Sequence, residues 1–463
     1  MGGPLKAPEL EHLMGMEVYL TSTPGIGGRI RARPEDFLVG EVLTDGSAVE
    51  PDEVLGLPEG AVGSLPGEGS FLVCALVKRD MDTLEAVGRL AKALGWPEGL
   101  FSFAGLKDAR ALTAQFVAIR GLRPERLRGL EVPGLRVVPL RFSREPLGPE
   151  KLASNRFDIL VRAIRLSADE LAERLAQVLE ELKGLGGVPN FYGHQRFGTA
   201  RPITHLVGRE LVRGNVRRAV ELFLSYVGPG EGRMAREARA YLSETGDLRG
   251  FLRLLPPGLY YERLMAKHLL RRPGDYHGAL RRLPLRLRRL FVHAYQAYLF
   301  NRILSRRARE GLPLSEPQLG DWVMVLDERG VPVGEAMRAR QDNLPVLREL
   351  VEEGRAAVAI PLPGFRHEPS SGRQGEIEAA VLSEEGVRPE DFWVRAMPEL
   401  ASPGWLRPVV ARLRFLDVPD ITNDELNPGL RALRLCFELP RGSYATVLLR
   451  ELMKPQDLLA AGF

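Results

Sequence analysis

Strand-like runs interleaved with helices fill the chain up to about Pro202, helical periods replace them to about Pro403, and strand patterns then return. A block of one character inside a block of another means an interrupted domain. In the first block, Phe37, Val39, Glu41 and Leu43 share one face of an extended run and Leu38, Gly40 and Val42 the other. Phe71 to Val77 is a second, continuously apolar strand. Asp82 or Thr83 then caps a helix whose apolar positions Leu84, Val87, Leu90, Ala91 and Leu94 run to Gly95. A strand is predicted over Asn155 to Leu166, and Ser167 with Glu170 forms a capping box for the next helix, lined by Leu171, Leu175, Val178, Leu179 and Leu182. Helical periods mark Met234 to Leu242, Tyr260 to Leu270 and Ala294 to Arg307, and Val409 to Leu416 and Leu433 to Leu439 then complete the first sheet. The expected division is a loosely held leader over 1–28, a first α+β part over 29–202, a mostly helical insertion over 203–403 with an exposed loop from Pro361 to Gly375, and a second part over 404–463.

At 463 residues the chain can bury a substantial core. Its 64 basic and 60 acidic side chains leave a net charge of only +4, so charge distribution, not total charge, bears on nucleic-acid binding. Two isolated cysteines, Cys74 and Cys436, are too few for a disulfide framework and point to a reducing, cytoplasmic setting. There is no secretory start, no long apolar run, no His or Cys set at metal-ligand spacing and no nucleotide-binding glycine motif, so neither membrane nor metal nor cofactor is expected.

The most chemically suggestive stretch is FSFAGLKDARALTAQFVAIRG, Phe101 to Gly121. Gly105 marks a bend, Lys107 and Arg110 flank Asp108 with positive charge, and Leu112 to Ile119 is again a strand. Cations beside a carboxylate favour its ionised form, which suits Asp108 to be a nucleophile, a base or an ion-pair partner. From these residues alone, a turn former and a catalyst both fit.

The pattern AGLKDARALTAQ resembles the signature of the TruD family of RNA pseudouridine synthases, with Asp108 at the position of the catalytic aspartate. Three more stretches match that family in order: RPEDFLVGE from Arg33, VPNFYGHQRFG from Val188 and LPRGSYATVLLREL from Leu439. The resemblance implies a pseudouridine-synthase-like domain with a mixed, largely antiparallel sheet, interrupted by an insertion, and a tRNA partner with uridine 13 as the usual target. It implies no cofactor and no obligate protein partner. It places Phe37, Asn190 and Tyr444 at substrate-binding positions, with Phe37 and Tyr444 holding the base and the Asn190 amide meeting its polar edge or Asp108. Arg31, Lys107, Arg110 and Arg196 are the expected supporting or RNA-contacting cations. Taken without the resemblance, Phe37 also fits a core position and Asn190 a turn.

Within the insertion, arginines 271, 272, 281, 282, 286, 288 and 289 precede the aromatic helix HAYQAYLFNRILSRR at His293 to Arg307. Interleaved basic and aromatic residues suit an RNA surface, and equally a solvated helix face. RPEDF recurs at Arg388 to Phe392, where the context predicts a different local structure from that at Arg33. Two other activities compete: a catalytically inactive RNA-binding protein of the same fold, and a glycoside hydrolase with an aspartate nucleophile. The hydrolase would need a second carboxylate near Asp108, where the sequence offers Lys107 and Arg110.

Overall fold

The computed structural model describes residues 4–57, 65–107, 109–366 and 368–463; Asp108 lies outside them. The main sheet runs Arg414–Phe415, Arg431–Pro440, Leu152–Ile164, Phe37–Leu43, Leu112–Arg120, Phe71–Arg79 and Leu135–Ser143. Neighbours are antiparallel except Phe37–Leu43 and Leu112–Arg120, which run parallel with Leu38 opposite Leu112. The fold is therefore α+β with a mixed, largely antiparallel sheet, as expected. Strand Phe71–Arg79 is apolar throughout most of its length because both its faces are covered. Leu72, Cys74 and Leu76 pack with Leu90 and Leu94 of helix Thr83–Leu94, and Val73, Ala75 and Val77 pack with Ala114 and Phe116. Asp82 caps that helix and left-handed Gly95 ends it; Ser167 and Glu170 close the predicted capping box on helix Ala168–Gly184.

From Thr204 the chain is helical, and its helices gather around the long helix Leu285–Arg309. Phe291, Tyr295, Leu299, Phe300, Ile303 and Leu304 are all buried, so this aromatic helix is the insertion's core and not an RNA surface. The insertion also carries its own sheet, in the order Met337–Arg338, Trp322–Val325, Ala356–Leu362, Trp405–Pro408. The run Ala356–Leu362 is buried at every position, the mark of a central strand. Pro361 and Leu362 therefore leave the predicted loop, and Gly372 opens helix Gly372–Glu384. Strand Trp405–Pro408 pairs with Ala359–Leu362, so residues just past the expected boundary at 403 belong to the insertion's sheet.

The expected leader is not loose over its described part, residues 4–28. It has little regular structure because Gly and Pro interrupt it, yet Met14, Met16 and Ile26 are buried in the main core. Its polar groups are equally engaged. Glu11 bonds Arg450 at 2.8 Å and His194 at 2.8 Å, and Asn301 Nδ2 donates to the Met14 carbonyl at 3.0 Å. Arg450 and His194 hold the Glu11 carboxyl below its ordinary range against the opposing effect of burial. The two RPEDF segments also differ from expectation, because they form the same turn. In each, the Asp side chain accepts from the Arg backbone N–H, at 2.9 Å from Arg33 to Asp36 and 2.8 Å from Arg388 to Asp391. Only their exits diverge: Phe37 starts a strand, whereas Phe392 leads to Val394 in the left-handed region at φ 48°. Among the described residues, no helix is long and apolar enough to cross a membrane.

Candidate active site

Sheet register brings the motifs together. Because Phe37–Leu43 and Leu112–Arg120 are parallel and start level, the bend before Leu112 lies beside Phe37. Glu41 pairs with Asn155, and Asn155 with Leu439, so the turn after Pro440 emerges over the same row. The short pair Val188–Pro189 and Val410–Ala411 carries Asn190 to this end from the other side. The result is a cleft of about 940 Å³ between the main sheet and the insertion's sheet, lined by Phe37, Gly105, Leu106, Lys107, Asn155, Asn190, Arg196, Trp405, Arg407, Arg441 and Tyr444, among others.

The segment entering position 108 is pinned by hydrogen bonds. Gln115 Nε2 donates to the Gly105 carbonyl at 3.3 Å, and the Lys107 N–H donates to Thr83 Oγ1 at 2.9 Å. Buried Lys78 donates to the Met81 carbonyl at 2.7 Å and to the Lys107 carbonyl at 3.5 Å. The Lys107 side chain departs from expectation: it is buried, ion-paired with Glu41 at 2.8 Å, and it donates to Asn155 Oδ1. Glu41 in turn accepts from the Phe116 N–H at 2.8 Å. An ion pair out of water is tolerable only when further hydrogen bonds support it, as here. Lys107 is thus a fixed part of the floor and is not extended toward a phosphate. Arg110 is exposed and stands outside the cleft lining.

Phe37 borders the cleft but is fully buried, with Phe157 edge-on at 6.5 Å and the Arg31 guanidinium 4.1 Å from its ring centre. It is floor, not an exposed wedge. Arg31 adopts φ 56°, unusual for a side-chain-bearing residue, and also donates to the Gly462 carbonyl at 3.2 Å. Asn190 is no turn former. Its Nδ2 donates to the Pro408 carbonyl at 2.9 Å and its Oδ1 accepts from Arg407 at 2.7 Å. Tyr444 is half-buried at the start of helix Ala445–Met453, 6.1 Å from the Tyr192 ring. Charge attraction from Tyr444, with Tyr192 adding to it, holds the Arg196 pKa above its ordinary value against burial, and the Arg196 guanidinium lies 5.4 Å from the Tyr192 ring centre.

Several lining residues carry little or no signal in the sequence. Arg407 bridges the Asn190 carbonyl at 2.9 Å and the Gly442 carbonyl at 2.9 Å, and lies 3.9 Å above the Tyr192 ring. Nothing around it in the sequence marks it. Glu41 could have been singled out as an acid on an otherwise apolar strand. Trp405, 41% exposed, meets His293 edge-on at 5.6 Å. The arginines at 271–289 fare differently: Arg281 at 3.1 Å and buried Arg288 at 2.8 Å share the Glu399 carboxylate, and Arg289 donates to its carbonyl at 3.1 Å. Three of those arginines are thus fixed on Glu399 within the fold. Among the described residues, no group of three or more His, Cys, Asp or Glu could hold a metal.

The sequence model of the family described as tRNA pseudouridine synthase D (TruD) matches residues 13–452. The chain belongs to the TruD family. It is 37% identical over 457 residues to the protein named Probable tRNA pseudouridine synthase D of Methanosarcina barkeri, covering 98% of this chain and 99% of that one. The counterpart from Methanopyrus kandleri is 43% identical over 395 residues, 85% of this chain and 88% of its own. A crystal structure of a tRNA pseudouridine synthase D (TruD) from Methanosarcina mazei superposes with a TM-score of 0.77 at 37% identity, covering 97% of this chain and 99% of that one. The chain is thus an RNA isomerase that converts uridine to pseudouridine in tRNA. Neither the inactive RNA-binding reading nor the glycoside hydrolase finds support.

Proposed function

We propose that this cleft, between a sheet body of about residues 29–202 and 409–463 and an inserted region of about 203–408, isomerises uridine 13 of tRNA with the Asp108 carboxylate as its reacting group. The observation that carries the reading is convergence: Gly105 to Lys107, the residues leading into Asp108, line the same cleft as Phe37, Asn190 and Tyr444. Isomerisation breaks the N1–C1′ bond, re-forms the link through C5, moves the C5 proton to solvent and returns a proton to N1, with no net oxidation. The carboxylate promotes this by attack on C1′, by attack on C6, or by taking a proton from the ribose, and each route uses its ionised form. Arg196, Arg407 and Arg441 add positive charge to the cleft lining. Flipping the uridine out of its stack costs a few kcal/mol, and one stacked ring returns roughly 1–3 kcal/mol. Tyr444 is the half-buried aromatic at the cleft best suited to that, while Arg407 holds Asn190 in place for the uracil edge. A cytoplasmic location belongs to the same reading.

Asp108→Asn keeps size and hydrogen-bonding reach and removes the charge. Single-turnover assays at saturating tRNA should show no pseudouridine, while tRNA affinity changes by less than about tenfold. Appreciable product from the folded variant would overturn the assignment.

A further inference from the structure

Of the chain's four tryptophans, three gather around the insertion's small sheet, on a face that continues the cleft. Trp405 belongs to both: it lines the cleft and, with Trp322 and Arg366, a shallow adjoining depression of about 140 Å³. Beyond it, the Phe365 ring meets Trp393 edge-on at 4.6 Å, and the Arg366 guanidinium lies 5.7 Å from the Phe365 centre. On the other flank Arg338 covers Trp322 at 4.6 Å, although Glu368 also holds that arginine at 3.1 Å. Trp393 is 50% exposed and Trp405 41%, far more than a side chain of that size retains when it serves only the core.

We infer that this face is a stacking platform for unpaired nucleotides flanking the target uridine. The inference rests on the reading of the cleft given above. Removing one base from a stack loosens its neighbours, which then need surfaces of their own. Aromatic faces accept any base, and exposed Arg366 supplies charge suited to the linking phosphate. RNA is the occupant that fits both the continuity with the cleft and the cation at the ring; a second copy of the chain or a protein partner would not need the latter.

The test uses the full chain in a Trp96→Phe, Trp405→Phe background, so that tryptophan fluorescence reports only Trp322 and Trp393, which stand outside the cleft lining. Binding of tRNA should quench it. Trp393→Ala combined with Phe365→Ala should weaken tRNA binding roughly tenfold or more, the loss falling in KM far more than in kcat. The salt dependence should keep its slope, because stacking releases no counterions. Unchanged affinity overturns the proposal, as does an unchanged tRNA affinity accompanied by a change of oligomeric state in sedimentation, which would assign the face to a second copy. Wild-type pseudouridine formation is measured alongside: quenching by tRNA without product would leave the platform standing and remove the reading of the cleft.

Discussion

Two sets of arginines in this molecule teach opposite lessons about charge. Those at 271–289 are crowded in sequence, yet Arg281 and Arg288 converge on the single carboxylate of Glu399 and Arg289 on its backbone. Arg196, Arg407 and Arg441 are scattered over the chain, yet the fold gathers them at one cleft. Density along the sequence measures neither exposure nor available charge. What decides is whether the fold supplies a carboxylate, and at Arg407 it supplies carbonyls and an aromatic face instead. Carbonyls satisfy the donors without cancelling the charge.

The sharpest way to break the contrast is at Arg407. Arg407→Ala leaves the Asn190 and Gly442 acceptors without their donor and the Asn190 amide held by the Pro408 carbonyl alone, for which about 2–4 kcal/mol of stability is the expected cost. Turnover should fall about 100-fold through misplaced uracil contacts. Arg407→Lys keeps the charge but not the fork, and should recover stability only in part. Melting curves and single-turnover rates check both; equal activity of the wild type and the alanine variant would make the cleft arginine as inert as those paired with Glu399.

A smaller effect separates neighbours within the crowded set. Arg288→Ala should lower the melting temperature by a few degrees with little change in tRNA affinity per folded molecule, because that side chain is buried on Glu399. Arg286→Glu should do the reverse. Arg286 is exposed beside the Phe103 ring at 5.7 Å, and its reversal should weaken tRNA binding several-fold and flatten the salt slope by about one counterion. Matched melting and salt-titration series distinguish them.

The smallest effect is in His293, which feels both sets. Burial pushes its pKa down to about 4, with Arg196 and Arg289 adding to the shift. Its folded state favours the neutral ring, so its contribution to stability is complete above the ordinary histidine value near 6.5 and is lost as pH falls from there to about 4. His293→Asn should therefore make the melting temperature less dependent on pH across that window. An unaltered dependence would remove His293 from it and leave it to other buried groups such as His205, lowered to about 3.

The sequence by itself determined the local elements and the order of the motifs. Period-two alternation, the Ser167–Glu170 box and the Asp82 cap act within a few residues, and the structure repeats them. It also determined family membership, since matched stretches in a fixed order survive without any knowledge of contacts. Only tertiary structure decided what each charged or aromatic side chain does. Lys107 looked like a partner for phosphate or for Asp108 and is bound to Glu41, which is distant in sequence and reached only because two strands run parallel. Residues 4–28 looked loose because they have no period, yet Arg450, Asn301 and the main core hold them. Identical RPEDF turns end in a strand at one place and a buried left-handed corner at the other, because their downstream segments pack on different surfaces. Periodicity and capping are short-range and written in neighbouring residues; pairing of charge and exposure of rings depend on which distant segments meet, and that is fixed by sheet register and helix packing.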